Sequence, residues 1–142
     1  MSLCQNFVLM AEYNQWMNSK VYDAASRLSP AEVTQDRGAF FGSILGTLNH
    51  LLVADLVWLR RFKSYEPHRL LLEAVERWPQ PPSLGQLLYP DLAALRAERV
   101  ALDQLIRDWA CALTDADIAQ EIGYQNMQGV PVAVHFTDSN GN

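Results

Sequence analysis

The apolar residues in the first thirty positions recur at alternating intervals of four and three residues. The series begins at Leu3 and ends at Leu28, and Asn14 is its single polar member. This spacing predicts one apolar stripe along a helix of about seven turns. The stripe fits either a coiled coil or the seam of a helical bundle, and the shortness of the chain favours the bundle.

A second long helix is predicted from about Phe41 to Lys63. Its apolar residues occupy nearly every side, which is typical of a helix that packs against several neighbours. Gly46 lies one turn before His50 on the same side of this helix. Because glycine costs a helix about 1 kcal/mol relative to alanine, we expect Gly46 to allow the close approach of a neighbouring group.

Shorter elements and a third long helix complete the helical pattern. The tetrapeptide Ser-Pro-Ala-Glu at 29–32 is a capping box that predicts a short helical turn. Residues 64–90 form a connection with its own short helical segment at 68–78, which suits a crossover between bundle helices. Pro90 opens the third long helix. We expect its charged residues mainly outside its apolar face: Arg96, Arg99, Asp103 and Asp108.

The pattern changes from a helical to a strand-like period near the C-terminus. In EIGYQNMQGVPVAVHFT, at 121–137, valines alternate with other residues after the turn at 126–129. This alternation predicts two short β segments. The fold class expected from the chain is therefore all-α, with a short β-hairpin near the C-terminus.

Charged and aromatic residues suggest a few specific contacts. Asp55 lies in an apolar helix, so we expect it to form an ion pair with Arg60, Arg61 or Arg99. Arg99 and Asp103 are one turn apart, as in a surface or inter-helix ion pair. By their helical phase, the four tryptophans are expected mostly in the core: Trp16, Trp58, Trp78 and Trp109.

The length, net charge and cysteines of the chain limit the kinds of protein that it can be. The length of 142 residues predicts a single domain over 1–142. A net charge of −5 with only eleven basic residues argues against nucleic-acid binding. We expect a cytoplasmic protein that does not enter membranes, because no basic, apolar leader opens the chain and polar residues interrupt its most apolar helix. Cys4 and Cys111 are expected to be free thiols.

Four segments resemble the DinB/YfiT-like family of small helical bundles. They are EYNQWMNSKVYDA, LSPAEVTQDRGAFFGSILGTLNHLLVADLVWLRRF, LAALRAERVALDQLI and IGYQNMQG. The resemblance covers about residues 7–129 and leaves 130–142 as an atypical tail. It implies a four-helix bundle with an up-down-down-up arrangement and a divalent metal, nickel, zinc or iron, between the helices.

The resemblance also implies a metal ligand, His50. In the family two further histidines, in an H-x-x-x-H phrase, lie on a fourth helix after the hairpin. This chain has no such phrase, so we expect the fourth helix to be truncated or absent. His135 is the one histidine after the hairpin turn and is a second candidate ligand. Without the resemblance, a lone histidine in a buried helix is more often a hydrogen-bonded core residue.

Three functional hypotheses follow from a family resemblance that lacks two of the usual metal ligands. The first is a DinB-like metal-binding protein, a relative of metal-dependent thiol S-transferases or hydrolases with an incomplete metal site, whose cofactor would include a low-molecular-weight thiol. The second is a non-catalytic dimeric helical protein, related to stress or binding a small molecule. The third is a truncated or frameshifted product of an active relative. A missing helix exposes apolar faces, so a homodimer is expected.

Overall fold

A computed structural model of the chain describes residues 2–64, 69–80 and 87–117. Within these ranges the protein is all-α and contains no strand, as the helical periodicity predicts. The predicted hairpin at 121–137, together with the stretch where the family has its fourth helix, lies outside the described residues. The helices are α1 (Leu3–Ser26), α2 (Pro30–Thr34), α3 (Ile44–Lys63), a 3₁₀ helix (Glu73–Arg77) and α4 (Leu92–Ala112).

Side-chain caps determine where the helices begin. The predicted capping box at Ser29 is present, with Glu32 as its partner. Two starts differ by two or three residues from the prediction. Helix α3 begins after Ser43, whose hydroxyl accepts from the amide of Gly46, and α4 begins after Asp91, which accepts from the amide of Ala94. These oxygens satisfy N–H groups that a helix start leaves unpaired.

Contacts between the long helices define their directions. Arg107 pairs with Glu12 and Arg96 with Asp23, so positions rise along α4 as they fall along α1, and the two helices are antiparallel. Along α3 and α4 the positions rise together, because Asp55 pairs with Arg99 and Phe62 stacks on Trp109. These two helices are parallel. A parallel pair needs a long connection, as the 28 residues between Lys63 and Leu92 provide.

The core lies between α3, α4 and this connection. Fully buried side chains come from all three, and Tyr22 of α1 joins them: Leu52, Leu56, Leu72, Val75, Leu95 and Leu102. The described part of the connection, at 69–80 and 87–91, thus contributes to the core. Within the described residues, no helix has the length and apolarity needed to cross a bilayer.

The predicted stripe of α1 is helical, but it is not the buried face. Met10, Met17 and Val21 are 37–41% exposed, whereas Tyr22 is 2% exposed. Polar residues beside the stripe explain the rotation. Asn18 donates two hydrogen bonds to the carboxylate of Asp103 on α4, which turns this side of α1 towards α4.

The expectation that charged residues of α4 avoid its buried face is wrong for Arg99 and Asp103. They are 3% and 2% exposed, although two charges are costly to bury. Arg99 donates to Asp103 at 2.7 and 2.9 Å and to Asp55 at 2.6 Å, which confirms one of the predicted pairings of Asp55. Asn14 and Asn18 donate to the same Asp103 carboxylate. The buried charges are tolerated because hydrogen bonds surround them.

The tryptophans divide into two groups. Trp78 and Trp109 are buried, as predicted. Trp16 and Trp58 are 55% and 37% exposed, so the core prediction is wrong for them. Each of these two exposed rings is covered in part by a cation, Lys20 over Trp16 and Arg61 over Trp58.

Candidate functional site

His50 lies on α3, on the side opposite the fully buried leucines of that helix. Its side chain is half-buried. The imidazole stacks on the ring of Phe41, with the two ring centroids 3.8 Å apart and the planes 16° from parallel. The structure thus holds the plane of the candidate ligand against a ring from the preceding loop.

The loop before α3 sets the position of Phe41. The amide of Arg37 donates to the carbonyl of Gly42 at 2.8 Å, and the amide of Gly42 donates to the carbonyl of Ala39 at 2.9 Å. Gly42 has a φ of +82°, a conformation that side chains other than glycine rarely adopt. This tight turn brings Phe41 back over the first turns of the helix.

Gly46 makes room for the same loop. A Cβ at this position would lie 2.1 Å from the carbonyl oxygen of Phe41. The expectation of a close neighbour at Gly46 is therefore confirmed, and the neighbour is the backbone that carries the stacked ring.

We expect Gly46→Ala to lower the free energy of unfolding by about 1–3 kcal/mol. Alanine favours helix, but its Cβ would collide with a backbone oxygen that cannot rotate away. Urea unfolding measures the loss, and Val100→Ala, at a 58% exposed position of α4, is the control. The Phe41 ring-current shift of the His50 protons should also decrease. A variant as stable as the native chain would contradict the close approach.

Stacking and metal coordination use different parts of an imidazole. The Phe41 ring covers the face of His50, whereas a metal binds in the ring plane at a nitrogen. The stack therefore restricts the orientation of the ring without competing with a ligand bond. In metal sites, neighbouring groups commonly restrict the orientation of the ligand side chains in this sense.

Asn49, next to His50, binds the segment that leads into α4. It is 1% exposed. Its amide oxygen accepts from the N–H of Tyr89, and its amide nitrogen donates to the carbonyls of Tyr89 and Leu45, all at 2.9–3.0 Å. Sequence reasoning did not single out this role. The signal available was an amide in an otherwise apolar helix, which has to find hydrogen-bond partners.

The described residues do not by themselves fit a three-ligand metal centre. No group of three His, Cys, Asp or Glu side chains that could hold a metal occurs in the described ranges. Asp55, five positions after His50, is directed to Arg99 instead. His135 and His68 lie outside the described residues. The geometry thus supplies one oriented imidazole, and a metal needs further ligands from elsewhere.

Comparison with known families extends the resemblance found in the sequence. The model of the DinB family matches residues 1–134, a longer span than the 7–129 recognised from the motifs. Neither a curated protein nor a solved structure matches the chain. Because the family match spans nearly the whole sequence, the chain belongs to the DinB family.

Proposed function

We propose that this DinB-family protein binds a divalent metal ion, nickel, zinc or iron, through His50. The observation that carries the proposal is the stack of His50 on Phe41, at the position where the resemblance to the family implies a metal ligand. Imidazole nitrogen suits all three metals. The activity that fits this assignment best is that of a metal-dependent thiol S-transferase or hydrolase relative with an incomplete metal site.

His135 is the second ligand in this proposal. Usual catalytic sites have three protein ligands, and the described residues contribute one. A bound divalent ion would lower the pKa of a coordinated low-molecular-weight thiol and favour its thiolate. In this proposal the residues around His50 hold and orient its imidazole. We assign no catalytic step to them.

Calorimetric titration of Zn²⁺ and Ni²⁺ into chelator-treated protein tests the assignment. We expect saturable binding to the native chain and about tenfold or more weaker binding in His50→Ala and in His135→Ala, because each loses a coordinate bond. His68→Ala, which removes a histidine without a family counterpart, is the matched control and should bind as the native chain does. Native affinity in His50→Ala would overturn the proposal.

We also propose that the three long helices belong to an up-down-down-up bundle in one domain over 1–142, in a cytoplasmic protein. The antiparallel pair α1 and α4 and the parallel pair α3 and α4 support the first three directions. Large apolar side chains on α1 and α3 remain exposed and would suit a further packing partner: Leu9, Met10, Met17, Val21, Leu51, Val57 and Trp58.

A second copy of the chain is the proposed partner. Exposed apolar residues on α1 and α3 favour association in water. Light scattering should therefore give twice the chain mass of 16.0 kDa. Met17→Lys and Leu51→Lys each add a charge at an exposed position and should shift the equilibrium to monomer, whereas Val100→Lys on α4 should not. A monodisperse monomer for the native chain would contradict this part of the proposal.

A non-catalytic dimer, related to stress or binding a small molecule, is the second candidate function. The absence of a three-ligand group among the described residues favours it. The titration separates these two candidates, since a folded native chain that binds no metal does not fit the first.

A further inference from the structure

A cleft of about 260 Å³ lies between α1, α3 and α4, away from His50. Most of its lining is apolar and comes from all three helices. Two of the rings, those of Phe62 and Trp109, stack with centroids 5.6 Å apart. The aromatic side chains of the lining are Phe7, Phe62 and Trp109, and Met10 adds a thioether.

One end of this cleft carries a carboxylate. Asp55 is the only charged residue among the described residues that line it, and Asn14 is the other polar one. The carboxylate uses one oxygen, Oδ2, to accept from Arg99 at 2.6 Å. Its side chain is still 39% exposed, so part of the carboxylate remains accessible from the cleft.

The three charged side chains at and behind the cleft have a net negative charge. Asp55 and Asp103 together carry two negative charges, and Arg99 between them carries one positive charge. Arg99 and Asp103 are buried, so the surplus negative charge is accessible at Asp55. A cation that reaches Asp55 in the cleft gains a charge-assisted hydrogen bond with the carboxylate.

We propose that this cleft binds a small organic ammonium ion, a primary amine with an aromatic or alkyl body. The ammonium group lies against Asp55 and Asn14, and the body packs among the rings and the Met10 thioether. Three features of the cleft support this ligand class: a single accessible carboxylate, an apolar lining and no cationic side chain among the described lining residues.

Titration with phenethylamine, followed by calorimetry or NMR, tests this site, with phenethyl alcohol as the neutral probe and phenylpropionate as the anionic one. We expect the amine to bind about tenfold or more tightly than either. Asp55→Asn should remove most of that preference and leave the alcohol unaffected. Asp108→Asn, an equal change in net charge at an exposed position of α4 outside the cleft lining, should bind as the native chain does.

A second pair of variants covers the case in which Asp55→Asn fails to fold. Met10 is 40% exposed, so Met10→Lys can place a cation at the cleft without emptying the core. It should abolish amine binding, while Met10→Leu should retain it. Binding should persist in His50→Ala, which separates this site from the proposed metal site. Equal binding of amine and alcohol, or no binding of the amine to the native chain, would overturn the proposal.

Discussion

Arg99→Met should destabilise the protein by about 3–5 kcal/mol, the largest loss that we expect from a single substitution. The change removes the guanidinium that donates to both Asp55 and Asp103. Asp55 keeps access to water, but Asp103 is 2% exposed and would stay buried with only the two α1 amides as donors. A carboxylate in that position has lost its counter-charge and cannot regain hydration.

Chemical denaturation measures this loss, and Arg96→Met is the matched control. Arg96, one turn before Arg99 on α4, pairs with Asp23 on α1, but both side chains are 34–47% exposed, so its loss should stay within about 1 kcal/mol. Arg99→Met together with Asp103→Leu should recover part of the stability, because no charge is then stranded. If Arg99→Met costs no more than Arg96→Met, the buried network does not stabilise the fold as described.

The same variant should show a characteristic pH dependence. Burial raises the pKa of Asp103, while Arg99 and Asn18 oppose the shift. Removing Arg99 leaves burial less opposed, so the pKa of Asp103 in the folded variant moves further above its unfolded value. The resulting penalty is fully present above the folded pKa and vanishes below the unfolded pKa. The deficit of Arg99→Met relative to the native chain should therefore be smaller at about pH 4 than at neutral pH.

Asn49→Ala should cost about 3 kcal/mol, the second largest effect. The substitution leaves the N–H and the carbonyl of Tyr89 without the partners that they have in the structure, at the point where the connection enters α4. Unpaired backbone groups in a partly buried position each lose the compensation for their desolvation. The connection contributes Leu72 and Val75 to the core, and we expect its packing there to weaken as well.

Two comparisons isolate the role of the Asn49 amide. Asn6→Ala, at an exposed position of α1, should change stability by no more than about 0.5 kcal/mol. Asn49→Asp keeps the acceptor for the N–H of Tyr89 but sets a carboxylate oxygen against its carbonyl, so it should be at least as unstable as Asn49→Ala at neutral pH. Stability of Asn49→Ala within the range of the control would mean that Tyr89 is held by other contacts.

Periodicity predicts helices well in this chain and predicts their buried faces less well. The ranges of α1, α3 and α4 follow from apolar spacing and differ from prediction mainly at capped ends. The buried face of α1 does not follow, because the apolar stripe is the more conspicuous pattern and the contact with α4 depends on Asn18 and Asp103, far apart in sequence. The polar exception in the stripe, Asn14, was the one local sign of that contact.

The candidate site is also predicted only in part by the sequence. The family motif identifies His50, and the glycine one turn earlier indicates a close neighbour there. That this neighbour is Phe41, stacked on the imidazole, depends on the conformation of a loop with two positive-φ glycines, which spacing alone does not give. The sequence also does not predict that Arg99 is buried. A charged residue is expected to be exposed unless its buried partners are known.

The metal content of protein purified without chelators, measured by plasma mass spectrometry for the native chain and His50→Gln in parallel, tests the central claim most directly. We predict a divalent ion bound to the native chain and its loss from His50→Gln, with both proteins equally helical. A folded native chain without metal, or a variant that retains as much metal as the native chain, would contradict the assignment of His50 as a ligand.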